Sequence, residues 1–383
     1  MRGLRLVGAA VAAAAALLAA GCGSSATSPP IAAARPTTSS TPAYQMAGPD
    51  PVGVTTLDLG SAGTILGERL ATVYYPANPA ALSNLTQFSY TEASTLPASL
   101  QGILPPQFDS TTTINASRDA PGSPSGPYPV VLFSHGFGGE RLYYSNLLAG
   151  IASWGYVVVS ADYLERGLAA QALRLTVRPS ATLDRSIMLD SLGAVERASG
   201  DPSSVIHGVV NPSKVAAVGH SAGGGTAFDA LDSPQVATAV GWAPVPPTGT
   251  PSSKPVMLIG AEGDQAVLPS SVAKTYASFH GPKASVEISG EGHNTYTDIC
   301  VGIRQGGGLI NYAVSNHFTT PQLARLAING CEAKDLPPQQ FWPIVQYYTV
   351  FQIKAVLGHG STTVPVPAAG AFPGFKVTIH QQG

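Results

Sequence analysis

Ser221 sits in Gly219-His220-Ser221-Ala222-Gly223, directly after the apolar run Val215-Ala216-Ala217-Val218. A strand, a tight turn, a serine and a glycine-rich helix start form the pattern of a nucleophile elbow. A serine hydroxyl is a weak nucleophile until a sharp turn projects it toward a base. Such a turn presses a strand end against a helix start, so its flanking positions must be small. Gly219 and Gly223 meet that need, and Gly224 and Gly225 extend the close approach. A bystander serine in a Gly-rich turn meets the same five-residue pattern, so the reading depends on partners found elsewhere in the chain.

Attack on a carbonyl needs three further parts: a base, an acid that orients it, and donors for the oxyanion. Asp264, in Gly260-Ala261-Glu262-Gly263-Asp264, follows an apolar strand and is the expected acid, with Glu262 as its neighbouring competitor. His293, in Gly290-Glu291-Gly292-His293-Asn294, follows the last clear strand and is the expected base. Of the seven other histidines, His220 lies inside the elbow and His135 in a glycine loop, and none of the rest ends a strand in this way. The N–H of Ala222 and the N–H of Phe137, in His135-Gly136-Phe137-Gly138-Gly139, are the expected oxyanion donors. Tyr143, Phe137 and Trp242 are candidates to shape an acyl site or to fill the core. Residues 163–181 and 302–340 are candidate cap or pocket walls.

The elements that must hold these residues alternate. Apolar runs at 128–133, 156–161, 214–218, 237–242, 255–260 and 285–288 read as buried strands. Helical spacing covers 143–154, 182–198, 223–231, 270–279 and 342–357. Strand alternating with helix predicts an α/β fold with a mostly parallel central sheet flanked by helices. In such sheets ligands bind at the carboxyl ends of the strands, where the residues above fall. Residues 53–75 read as antiparallel strands that begin the sheet.

The N-terminus predicts export. Arg2 and Arg5 precede an uncharged Ala- and Leu-rich core from Leu6 to Ala20, shorter than the ~20 residues of a membrane span. It ends in Leu18-Ala19-Ala20-Gly21-Cys22, which resembles a bacterial lipobox with Cys22 as the lipidated residue; the alternative is an ordinary signal cleaved nearby. The expected order is a signal peptide at 1–21, a Ser/Thr/Pro/Ala-rich disordered tether at 22–48, a catalytic domain at 49–360 and an unassigned tail at 361–383. The expected location is the outer face of a bacterial cell membrane or envelope, held by the lipid anchor.

Charged residues make up 11% of the chain and the net charge is −2, against about 25% charged in a typical domain. No basic stripe suggests nucleic acid. No Cys/His spacing suits zinc, and no metal or organic cofactor is expected. Cys300 and Cys331 follow His293. Export makes a disulfide between them reasonable, and two buried thiols are the alternative. A monomer is expected.

Taken together, Phe133-Ser134-His135-Gly136, the Gly-His-Ser-x-Gly-Gly elbow, Ile259-Gly260-Ala261-Glu262-Gly263-Asp264 and Gly292-His293 resemble the α/β-hydrolase superfamily. The similar group includes bacterial dienelactone-hydrolase-like, platelet-activating-factor-acetylhydrolase-like and cutinase-type ester hydrolases. The serine departs from the cysteine usual in dienelactone hydrolases. The resemblance implies Ser221, Asp264 and His293 as a triad, Phe137 and Ala222 as the oxyanion hole, and a small-molecule or lipid ester as substrate. The other readings are a peptidase or amidase on the same scaffold, and a non-catalytic envelope lipoprotein that kept the fold.

Overall fold

The computed structural model describes residues 44–383 apart from Ile65, 83–84, Pro97, Arg174, 176–179, Gly307 and 359–371. The expected signal peptide, Cys22 and the tether up to residue 43 lie outside the described residues.

The described chain opens with an antiparallel pair, β1 (Val52–Thr64) and β2 (Gly67–Pro76). β3 (Gln87–Thr91) and β4 (Thr111–Arg118) form a second pair, joined to the first by a short parallel β1–β4 contact. Strand and helix then alternate: β5 (Tyr128–Ser134), α1 (Ser145–Ala152), β6 (Val157–Ala161), α2 (Leu168–Ala172), α3 (Ala181–Gly200), β7 (Val210–His220), α4 (Ala222–Asp229), β8 (Val236–Trp242), β9 (Val256–Ala261), α5 (Pro269–Ser278) and β10 (Lys283–Ile288). Three short helices follow, α6 (Ile299–Gly306), α7 (Leu309–Ser315) and α8 (Pro321–Ile328), and then α9 (Pro338–Ile353) and β11 (Val377–Gln382).

Among the described residues the strands form one eleven-stranded sheet, in the order β11-β10-β9-β8-β7-β5-β6-β2-β1-β4-β3. Its centre, β6-β5-β7-β8-β9-β10, is parallel, and antiparallel strands close both flanks. Parallel centres are covered on both faces, which is why their strands read as continuous apolar runs. The period of two decides which side each residue serves. Val131, Phe133, Val158, Ala216 and Val218 pack with α1 and α9. Val130, Leu132, Val157, Val159, Val215 and Ala217 pack with α3, α4 and α5. From β5 the chain goes to β6 on one side and returns to β7 on the other. That reversal opens a crevice at the carboxyl ends of β5 and β7. Ser134–Gly139 and Ser221 lie at those two ends.

The domain is wider than the sequence boundaries of 49–360. Tyr44 packs edge-on against Trp154 at 4.6 Å. The Met46 carbonyl accepts from Trp154 Nε1 (3.0 Å) and Gln346 Nε2 (2.8 Å), so residues 44–46, inside the span expected as tether, pack on the domain. The tail supplies β11, which pairs with β10 from Val377 to Gln382. Its sequence, Val377-Thr378-Ile379-His380-Gln381-Gln382, is mostly polar because it covers only an edge. β4 is concealed in the same way, since only Ile114 and Ala116 of its eight residues turn inward.

Three buried carboxyls join these elements. Asp298 accepts from Asn146 N and Nδ2 of α1, both at 3.1 Å, and from the Tyr90 hydroxyl of β3 at 3.4 Å. Glu140 accepts from Leu142 N, and Glu92 meets the Tyr143 hydroxyl. Burial pushes Glu92 and Asp298 up to about 7, and Glu140 above the ordinary carboxylate range. A carboxyl raised in this way binds its proton more tightly in the folded than in the unfolded chain. Its contribution is complete below the unfolded pKa and is lost as the pH rises through the folded one. The thermal midpoint should therefore fall between about pH 4 and about pH 7 on account of this cluster. Glu92→Gln should flatten that fall in a melting series, and an unchanged slope would remove Glu92 from the account.

Candidate active site

The elbow is a physical constraint before it is a catalytic one. Ser221 has φ 56° and ψ −119°, a backbone state that non-glycine residues rarely adopt. The next residue, Ala222, already begins α4. A Cβ on Gly219 would lie 2.0 Å from the Gly223 carbonyl oxygen, and one on Gly223 would lie 1.9 Å from that of Ser134. Those two glycines let strand and helix meet, which accounts for the spacing. The turn is tied down by Ser221 N donating to Trp242 O (2.8 Å) and by Ser221 O accepting from Gly224 N and Val245 N.

Asp264 and His293 are brought together from the ends of β9 and β10. Asp264 Oδ2 lies 2.7 Å from His293 Nδ1. Its other oxygen, Oδ1, accepts from Ala266 N and Val267 N, each at 2.8 Å. The two backbone donors fix the carboxylate's orientation and leave Oδ2 for the imidazole. The proton is then assigned to Nδ1, and Nε2 is left as the basic nitrogen. Both residues are buried, whereas Glu262 is exposed. The base loop touches the elbow: the His220 and His293 rings are 4.6 Å apart.

The glycine loop after β5 lies over the serine. A Cβ on Gly136 would sit 3.1 Å from Ser221 Cβ. His135 anchors the loop from inside. Its Nε2 accepts from Tyr163 N–H (3.1 Å), so its Nδ1 carries the proton and donates to Gly136 O (2.9 Å). Burial and the nearby Arg166 charge push His135 down to about 3, so the ring is neutral. Arg166, itself 1% exposed, donates to His135 O (2.8 Å) and Ser134 Oγ (2.6 Å), and is paired with Asp184 of α3. The Ala222 N–H opens α4 and so has no helical acceptor. Phe137 presents its side chain to solvent.

Other expected positions serve the core. Trp242 is fully buried and donates from Nε1 to Thr349 Oγ1 (2.9 Å), and Tyr143 is buried as well. Leu164 and Leu168, from the candidate cap, line a cavity of about 430 Å³ with Leu66, Leu70, Arg141 and Asp162. This cavity shares His135 and Gly139 with the glycine loop but includes none of Ser221, Asp264 and His293.

Asn329 is the residue that the sequence reading missed. Its Oδ1 accepts from His293 N (2.8 Å) and Gln265 N (2.9 Å), and its Nδ2 donates to Gly263 O (3.1 Å). One side chain thus links the acid loop to the base loop. The neighbouring Gly330 has φ +88°, and a Cβ there would lie 2.3 Å from Thr295 Oγ1. Cys331 is bridged to Cys300, which holds this segment against the base loop. The only signal in the sequence was Asn329's nearness to a cysteine.

Asn329→Ala should leave the buried N–H groups of His293 and Gln265 without acceptors. We expect kcat to fall roughly 10- to 100-fold with KM little changed, because the damage is to the relative placement of acid and base. A kcat within twofold of wild type would dispose of that role. Reducing Cys300–Cys331 should cost roughly 2–4 kcal/mol in denaturant unfolding, and an unchanged midpoint would show that the bridge is not needed.

Two family models match the chain: platelet-activating factor acetylhydrolase, isoform II, over residues 39–186, and the dienelactone hydrolase family over residues 115–293. The second span contains the elbow, the glycine loop, Asp264 and His293. Chlorophyllase-1 of Arabidopsis thaliana is 33% identical over 143 residues, which cover 36% of this chain and 39% of that protein. The chain thus matches about two-fifths of that relative's length. A solved ferulic acid esterase from Streptomyces cinnamoneus superposes with a TM-score of 0.58 at 20% identity, covering 87% of this chain and 97% of that one, a likeness of fold. With its parallel centre, Ser221 after β7, and Asp264 and His293 after β9 and β10, the chain has the α/β-hydrolase fold.

Proposed function

We propose that this chain hydrolyses carboxylic esters through an acyl-enzyme on Ser221. The observation that carries the reading is the Asp264–His293 hydrogen bond of 2.7 Å, with the second Asp264 oxygen capped by two backbone amides, beside a serine held at positive φ. Ser221 Oγ attacks the ester carbonyl as His293 Nε2 takes its proton, and Asp264 steadies the imidazolium. The oxyanion is met by the N–H groups of Ala222 and Phe137, each worth about 2.7–4 kcal/mol in the transition state. The C–O bond to the alcohol breaks, and His293 returns the proton to the leaving oxygen. Water then repeats the sequence on the acyl-serine and releases the acid. The names of the similar proteins, among them an acetylhydrolase, a lactone hydrolase and an esterase, support an ester over an amide. A small-molecule or lipid ester is the substrate class.

We also propose that the protein is exported and anchored through a lipid on Cys22, which rests on the N-terminal pattern alone. Cys22→Ala should move the protein from the membrane fraction to the soluble exported fraction, and the same distribution for both forms would end this part.

Turnover of p-nitrophenyl esters from acetate to palmitate tests the chemistry. Ser221→Ala or His293→Ala should lower kcat by about a millionfold, and a fluorophosphonate should label wild type at Ser221. Near-full activity in either variant would overturn the triad. Turnover of anilides above esters would favour an amidase.

A further inference from the structure

A second hydrogen-bonded chain runs behind the triad. Gly136 N–H meets the Tyr144 hydroxyl at a long 3.4 Å, that hydroxyl lies 2.8 Å from His220 Nδ1, and His220 Nε2 lies 2.9 Å from the main-chain oxygen of His293. Tyr144 and His220 are each 2% exposed. The direction of every bond is forced. A carbonyl only accepts, so His220 Nε2 must carry the proton it donates to His293 O. Burial and the neighbouring His293 hold His220 well below the usual histidine range, so the ring is neutral and Nδ1 presents a lone pair. The Tyr144 hydroxyl therefore donates to Nδ1, and its oxygen is left to accept from Gly136.

We propose that Tyr144 and His220 are a positioning pair, a buried donor–acceptor chain that sets the oxyanion loop and the base loop in register across the elbow. The role rests on the ester-hydrolase reading above. The chain begins one residue before Phe137, an expected oxyanion donor. It passes through the residue before Ser221 and ends on the main chain of the base. No other side chain hydrogen-bonded to the elbow, among the described residues, reaches both loops. Arg166 holds the oxyanion loop from the opposite side, and Asn329 ties base to acid. The pair supplies the remaining link, between base and oxyanion loop.

Packing alone does not require these polar atoms. The Tyr144 ring is held by Phe133 at 4.8 Å and Trp242 at 6.4 Å, and the His220 ring by Tyr296 at 5.1 Å. Those contacts survive loss of the hydroxyl. Tyr144→Phe thus separates hydrogen bonding from shape.

The test is steady-state hydrolysis of p-nitrophenyl acetate, with the rate of fluorophosphonate labelling as a second readout. Tyr144→Phe should lower kcat and the labelling rate on the order of tenfold with KM within about twofold, short of the ~10²-fold that a 1 Å misplacement can cost. His220→Gln keeps a donor and an acceptor on one planar group and should retain more activity per folded molecule than His220→Leu. The nitrogen-15 imidazole spectrum reads the pair without turnover: wild-type His220 should be the Nε2–H tautomer, and Tyr144→Phe should shift its Nδ1 resonance. Unchanged kcat and labelling in Tyr144→Phe, or a His220 proton found on Nδ1, would overturn the proposal. A wild type that neither turns over nor labels would sink the ester reading instead, and the spectrum would still decide the pair.

Discussion

The backbone at Ser221 is the constraint on which the site depends. A serine held at φ 56° sits in a region that costs about 1–3 kcal/mol and persists only where its surroundings over-determine it. Here they do. The serine's N–H and carbonyl are engaged by Trp242, Gly224 and Val245, and α4 begins one residue later. The helix start is driven so close to β5 that Gly223 faces the Ser134 carbonyl with no room for a methyl group. Elbow, glycine loop and first helical turn are therefore one packed unit. A side chain on Gly219 or Gly223 would separate all three.

The other parts are fastened to that unit through main-chain atoms. Arg166 grips the His135 carbonyl, Asn329 grips the amides of His293 and Gln265, and Asp264 is oriented by the amides of Ala266 and Val267. A side chain bonded to backbone fixes where a loop runs, and with it every group the loop carries. Side-chain to side-chain bonds would fix only themselves. This is a direct way to hold catalytic groups within the few tenths of an ångström that proximity effects demand.

The strand–helix alternation was legible because β5 to β10 are buried on both faces, and such strands must be apolar throughout. The positions of Ser221, Asp264 and His293 were legible because each follows a strand end beside small residues. What escaped the reading had no such signature. β4 and β11 lie toward the sheet's flanks and turn few residues inward, so their polar sequences carry no strand signal. α6, α7 and α8 are only eight, seven and eight residues long, too short for periodicity to speak. Asn329 acts only because folding brings residues 263–265 and 293 to it, and no local pattern records that. Trp242 was open between an acyl-site and a core role from its sequence position, and it points into the layer with α9, where Thr349 accepts its N–H.

The buried charges raise the question of whether field or geometry dominates this site. Arg69, Arg141 and Arg166 all depress the His135 pKa, so a positive field does reach the glycine loop. Each of these cations is nevertheless matched by a carboxylate: Arg69 by Glu165 at 2.7 Å, Arg141 by Asp162 at 3.0 Å, and Arg166 by Asp184. Seen from the oxyanion these are dipoles, whose effect falls off faster than that of a free charge. A directed N–H is worth about 2.7–4 kcal/mol in the transition state, provided it points at the developing oxygen. Under the proposed mechanism the paired arginines therefore contribute chiefly by holding the loop that aims the Phe137 amide, and only secondarily by their charge. Replacing Arg166 by a neutral residue would act first on aim: Ser134 and His135 would lose their shared donor, and Asp184 would be left buried without a counter-charge, a far larger disturbance than the loss of a screened field.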